Sequence, residues 1–125
     1  MLSVKRVLSF IIIVFLSTAC GQQKEVNNSS PYKQEGVIVE IKQINNNLKQ
    51  LLLIPNTKFE DISNKNDNEL HRMAEEKDGA FYSFDSSEYN HIEVGMKVIV
   101  HWDGSQDDSI PPYRGADNIE VVLGK

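Results

Sequence analysis

Cysteine occurs once in these 125 residues, at Cys20. A single thiol excludes an intramolecular disulfide and any zinc site built from several cysteines. Bases are scarce as well: 13 Lys and Arg stand against 18 Asp and Glu, a formal net charge of -5. Past Cys20 the bases are scattered, with no cluster able to neutralise a row of phosphates, which argues against nucleic acid or a charged lipid surface as partner. There is no glycine-rich phosphate loop and no nucleophile elbow, and His71, His91 and His101 stand at no metal-ligand spacing. No apolar run reaches the roughly 20 residues that a membrane-spanning helix needs.

What is present begins at the N-terminus. Lys5 and Arg6 precede an apolar run from Val7 to Leu16, followed by the small residues Ser17, Thr18 and Ala19 and then Cys20. That order is the order of an export signal. The stretch Leu16-Ser17-Thr18-Ala19-Cys20-Gly21 resembles the lipobox of bacterial lipoproteins, in which the cysteine thiol is acylated and the chain is cut just before it. The usual pattern has an aliphatic residue three positions before the cysteine, where this chain has Ser17. Residues 1–19 are therefore expected to be a signal peptide and Cys20 the lipidated residue, with the protein held by that anchor on the extracytoplasmic face of the cell membrane. Each buried methylene of an acyl chain contributes about 0.8 kcal/mol, so several chains on one cysteine give lasting attachment. Loss of Lys5 and Arg6 takes the net charge to -7, 18 acids against 11 bases.

Residues 20–34 are polar, with Val26 as the single aliphatic side chain, and read as a lipidated cysteine and a flexible tether. As a coil, such a segment spans on the order of 20 Å. Residues 35–125 form the foldable part, enough for one modest core. Val37, Val39 and Ile41 alternate with Ile38, Glu40 and Lys42, the period of a half-buried strand. Asn45-Asn46-Asn47 suits a turn, and Leu48 to Ile54 supplies the second arm of a hairpin, with the register of Leu51-Leu52-Leu53 left open. Asn66 or Asp67 caps a short helix carrying Leu70, Met73 and Ala74, which Gly79 is placed to end. Further strands are expected at 80–84, at 96–102 and at 118–123. Five strands and one short helix give a mainly β domain. A small OB-like barrel is the first expectation, because closure removes exposed sheet edges. An open antiparallel sheet with one helix, an α+β arrangement, is the alternative.

Chemistry is sparse. The loop Asp103 to Ser109 gathers three carboxylates and two hydroxyls, ligand types that calcium accepts, but it lacks the acidic alternation and the terminal glutamate of an EF-hand. The metal-ligating candidates are His101, Asp103 and Asp107. The loop Ile110-Pro111-Pro112-Tyr113-Arg114-Gly115 carries the residue types of binding hot spots, and Trp102, Tyr113 and Arg114 are the candidate binding residues. No catalytic constellation and no cofactor is indicated. The expected function is a non-enzymatic binding or accessory module of the cell envelope that meets an envelope protein or a small ligand. The alternative is an envelope enzyme or metal-dependent module centred on residues 101–109.

The run Val94-Gly95-Met96-Lys97-Val98-Ile99-Val100-His101-Trp102-Asp103-Gly104, followed by Ser109-Ile110-Pro111 and then by Ala116 and Ile119, resembles the YobA-like domain of small Gram-positive lipoproteins. It departs from that pattern at Ile110, where tyrosine is common, and at Pro112, where a small residue is. The resemblance implies a small β-rich fold and an envelope location. It implies no catalytic residue, because the family has none assigned.

Overall fold

The computed structural model describes residues 31–124. The signal peptide, Cys20 and the tether up to residue 30 lie outside the described residues. Six strands run in the order β1 (Tyr32–Gln43), β2 (Leu48–Ile54), β3 (Ala80–Asp85), β4 (Lys97–Trp102), β5 (Tyr113–Gly115) and β6 (Asn118–Leu123). One helix, α1 (Asp67–Glu76), lies between β2 and β3, preceded by a short 3-10 turn at Phe59–Asp61. No described helix is long and apolar enough to cross a membrane. β1 begins at Tyr32, so Tyr32, Lys33 and Gln34, expected in the tether, are paired with Trp102, His101 and Val100 of β4.

The strands form one sheet in the order β5-β3-β2-β1-β4-β6. All neighbours are antiparallel except β3 and β5, which are parallel. The fold is mainly β, as expected, and is the open sheet with one helix given as the alternative, mixed and not wholly antiparallel; the closed five-stranded OB-like barrel expected first is not formed. Closure fails because β5 and β6, the two edges, pair with β3 and β4 and not with each other. Only Ala116 and Asp117 separate them, and the Ala116 amide donates to Ser83 while the Asp117 amide donates to His101. The sheet therefore curls until one short piece of chain runs from edge to edge, without a ladder sealing it.

Both faces are buried, which explains the unbroken run Leu51 to Ile54. Leu51 and Leu53 join Ile38, Tyr82, Phe84, Val98, Val100, Trp102 and Ile119 on one face, with Ile92 packed against them. Leu52 and Ile54 join Val37, Val39 and Phe81 on the other, under Leu70, Ala74 and Ile62. Burying such a side chain contributes about 1.5–3 kcal/mol. A bulge between Ile38 and Glu40 shifts the β1–β2 register. It places Ile41 against the Ile38 face, opposite to the side that strict alternation assigns it.

Helix α1 starts with a capping box: the Asn66 side chain accepts from the Glu69 amide at 2.9 Å, and the Glu69 carboxylate accepts from the Asn66 amide at 2.9 Å. At the other end Asp78 takes the left-handed conformation (φ 62°), and the Gly79 amide donates to Ala74 at 2.7 Å. Gly79 serves close packing instead, since a Cβ there would sit 2.5 Å from the Leu53 carbonyl oxygen.

Candidate functional site

β5 is only three residues long, yet its side chains organise one end of the molecule. Parallel pairing sets Tyr113 beside Phe81 and Arg114 beside Tyr82, so the two side chains leave the sheet on opposite faces.

On one face the Arg114 guanidinium lies 3.8 Å from the centroid of the Trp102 ring and 5.6 Å from that of Tyr82. Its Nη1 donates to the Tyr82 hydroxyl at 2.6 Å and to Gln34 Oε1 at 3.2 Å, and its Nε donates to Gln106 Oε1 at 2.8 Å. The Tyr82 hydroxyl in turn donates to Gln34 at 2.7 Å, and Gln34 Nε2 donates to the Asp78 carbonyl at 2.8 Å. One cation thus ties β5 to β1, β3, β4 and the loop after β4. Burial pushes the Tyr82 phenol above its ordinary pKa, and the Arg114 hydrogen bond only partly offsets that rise. Tyr32 completes the group, tilted on Trp102 at 5.3 Å between centroids. Gly104 holds a positive φ of 95°, and a Cβ on it would meet the Tyr32 ring at 2.5 Å.

On the opposite face Tyr113 stacks on Phe81, centroids 4.7 Å apart and planes 14° apart, and His71 meets Phe81 edge-on. His71 Nε2 lies 2.8 Å from Glu40 Oε1. Of the three candidate binding residues, then, the half-buried Arg114 comes together with the buried Trp102 on one face, whereas Tyr113 stands exposed on the other.

The loop between Asp107 and Tyr113 closes on itself. Asp107 Oδ1 accepts from the Tyr113 amide at 3.0 Å, the Ser109 amide at 3.2 Å and the Ser109 hydroxyl at 2.7 Å, and the Asp107 amide donates to the Tyr113 carbonyl at 3.4 Å. The bonds from Tyr113 and Ser109 hold the Asp107 carboxyl below its ordinary pKa. Pro111, behind a cis peptide bond, is buried, while its neighbour Ile110 is 75% exposed at the tip. Between this loop and the end of α1 lies a cleft of about 440 Å³, with Glu75, Asp78, Asp107 and Asp108 around it.

His101, Asp103 and Asp107 are engaged separately. His101 is buried, its Nε2 2.8 Å from Glu120 Oε2 and its Nδ1 without a partner among the described residues. Asp103 accepts from the Ser105 amide and hydroxyl, and those bonds lower its pKa. Asp85 does the same with Ser87, so among the described residues this Asp-x-Ser turn occurs three times. Among the described residues no group of three or more His, Cys, Asp or Glu side chains is arranged to hold a metal ion. Sequence reasoning missed Gln34, Tyr82 and Gln106 as partners of Arg114 and Phe81 as the support of Tyr113. Nothing local signals them, because a three-residue parallel pairing brings them together.

The chain is similar to a Bacillus subtilis protein, YobA, whose residues 21–120 have an NMR solution structure: 17% identity, 81% of this chain and 92% of that one covered, TM-score 0.47. No curated protein matches the chain. The model of a family described as a protein of unknown function, DUF3221, matches residues 35–123. With most of its length matched by that model, the chain belongs to the DUF3221 family.

Proposed function

We propose that the protein is a non-enzymatic binding module of the cell envelope, held at the outer face of the cytoplasmic membrane by acyl groups on Cys20, and that it meets an envelope protein through the loop 106–113. The observation that carries this reading is the exposed Ile110 on a loop whose base is fixed by three hydrogen bonds to Asp107 Oδ1. A loop ordered before contact loses less conformational entropy on association, and an exposed aliphatic tip beside the aromatic Tyr113 is the kind of feature that fills a partner's pocket. The neighbouring acids Asp107, Asp108, Glu75 and Asp78 favour a partner with basic residues around an apolar centre. Arg114 serves as internal support for this surface, through Gln106.

Two experiments test the reading. Growth of the host with a labelled fatty acid should place label on the wild-type chain and none on Cys20→Ser; equal labelling, or none on either, removes the anchor. Crosslinking in intact cells should capture a partner with the wild type and lose it with Ile110→Ser plus Tyr113→Ser, both exposed positions. Equal capture removes the loop.

A further inference from the structure

A second concavity lies away from this loop and has a different character. It is a groove of about 310 Å³ lined by Val37, Phe59, Gly95 and Leu123, with Lys58 and Lys97 among its polar neighbours. The size is at the lower end of small-molecule sites. Phe59 is 45% exposed and Leu123 64% exposed, and Val94, next to Gly95, is 37% exposed. Exposed apolar side chains gathered around one concavity mark a contact site more often than isolated ones do. The lining carries Lys58 and Lys97 against Glu60, an excess of positive charge in a chain of net charge -5. The cleft beside the 106–113 loop has the reverse balance, four acids against Arg114. Lys97 is held by Glu35 at 3.3 Å, an exposed pair of the kind that is weak and exchanges readily.

We infer that this groove binds one aliphatic chain with an anionic head, as in a medium-chain carboxylate or alkyl phosphate taken up as a single molecule. The chain would lie between Phe59 and Leu123 over Val37 and Gly95, and the head would meet the ammonium groups of Lys58 and Lys97. The scatter of bases over the rest of the domain disfavours a charged bilayer surface as the occupant, which would need a broad basic face. The inference does not depend on the 106–113 loop or on acylation of Cys20.

Gly124 supplies the test. It lines the groove, and a Cβ added there meets nothing within 4 Å, so Gly124→Trp adds a bulky ring at the rim of the groove without disturbing the core. The whole mature chain, prepared with Cys20→Ser so that it carries no acyl group of its own, is titrated with decanoate below its micellar range while amide resonances are followed. Saturable shifts at Phe59, Gly95 and Leu123 are expected. Gly124→Trp should weaken them at least tenfold with an unchanged melting temperature, and decyltrimethylammonium, of equal chain length and opposite charge, should bind at least fivefold more weakly. No saturable shift, equal affinity for the two amphiphiles, or equal affinity in Gly124→Trp overturns the inference. So does a response to phosphatidylglycerol vesicles with none to dispersed decanoate.

Discussion

The Arg114 guanidinium stacks 3.8 Å from the centre of the Trp102 ring, joining a residue of the shortest strand to the last residue of β4. Three further side chains, Gln34, Tyr82 and Gln106, accept its hydrogen bonds. A planar fork is needed to satisfy them and stack at once. Arg114→Ala should therefore cost about 2 kcal/mol, from a cation–π contact of about 0.5–2 kcal/mol and hydrogen bonds to a charged group. Arg114→Lys should recover less than half of that in urea unfolding. A lysine variant as stable as the wild type would mean that charge alone is at work.

The Tyr82 hydroxyl is the hub of the same network, and burial raises its pKa. For an acid whose pKa is higher in the folded state, the folded chain keeps its proton longer than the unfolded one. Stability is then intact below about pH 10, the ordinary tyrosine value, and falls as pH rises from there towards the folded pKa. Unfolding free energy followed from pH 8 upward in about half-unit steps should decline in that window. Tyr82→Phe should flatten the decline while lowering stability at neutral pH, because Gln34 and Arg114 lose a partner. A decline of equal slope in Tyr82→Phe would assign it to other groups.

Asp107 is the counterpart on the acidic side. Its depressed pKa means that the order it gives the loop is present above the ordinary carboxylate value of about 4 and is lost as pH falls through the lower folded value. The Tyr113 amide resonance should titrate with a midpoint below that ordinary value. In Asp107→Asn the titration should vanish and the amide should exchange with solvent faster at neutral pH. An unperturbed midpoint would show that the carboxylate does not hold the loop.

Neighbouring residues after α1 should respond with opposite signs. Asp78 holds a left-handed conformation that glycine adopts more easily, so Asp78→Gly should stabilise by up to about 1 kcal/mol. Gly79→Ala drives a methyl into the Leu53 carbonyl oxygen and should destabilise by about 1–3 kcal/mol. Thermal unfolding of the two variants distinguishes this from a simple glycine cap at Gly79, for which Asp78→Gly would bring no gain.

Much of the fold is legible in the residues. Alternation in Met96 to Trp102 and in Asn118 to Leu123 marks two strands, and the pair Asn66-Asp67 marks the helix start, with Asn66 the residue that caps it, because these signals act over a few residues. Two features resist such reading. The bulge at Val39 turns Ile41 to the other face, and only the partner strand reveals it. β5 is too short to show a period, and its parallel pairing with β3 is remote in sequence. The site divides in the same way: Trp102, Tyr113 and Arg114 stand out by residue type, but type does not say that Arg114 turns inward onto Trp102 while Tyr113 turns outward over Phe81.

The proposal that the 106–113 loop is the recognition surface is tested most directly by a photo-crosslinking residue placed at Ile110, compared in intact cells with the same residue at Asn46 in the exposed β1–β2 turn. A discrete partner captured from position 110 and absent from position 46 is the expected result. The same products from both positions, or none from position 110 in cells where the chain is present at normal level, would contradict it.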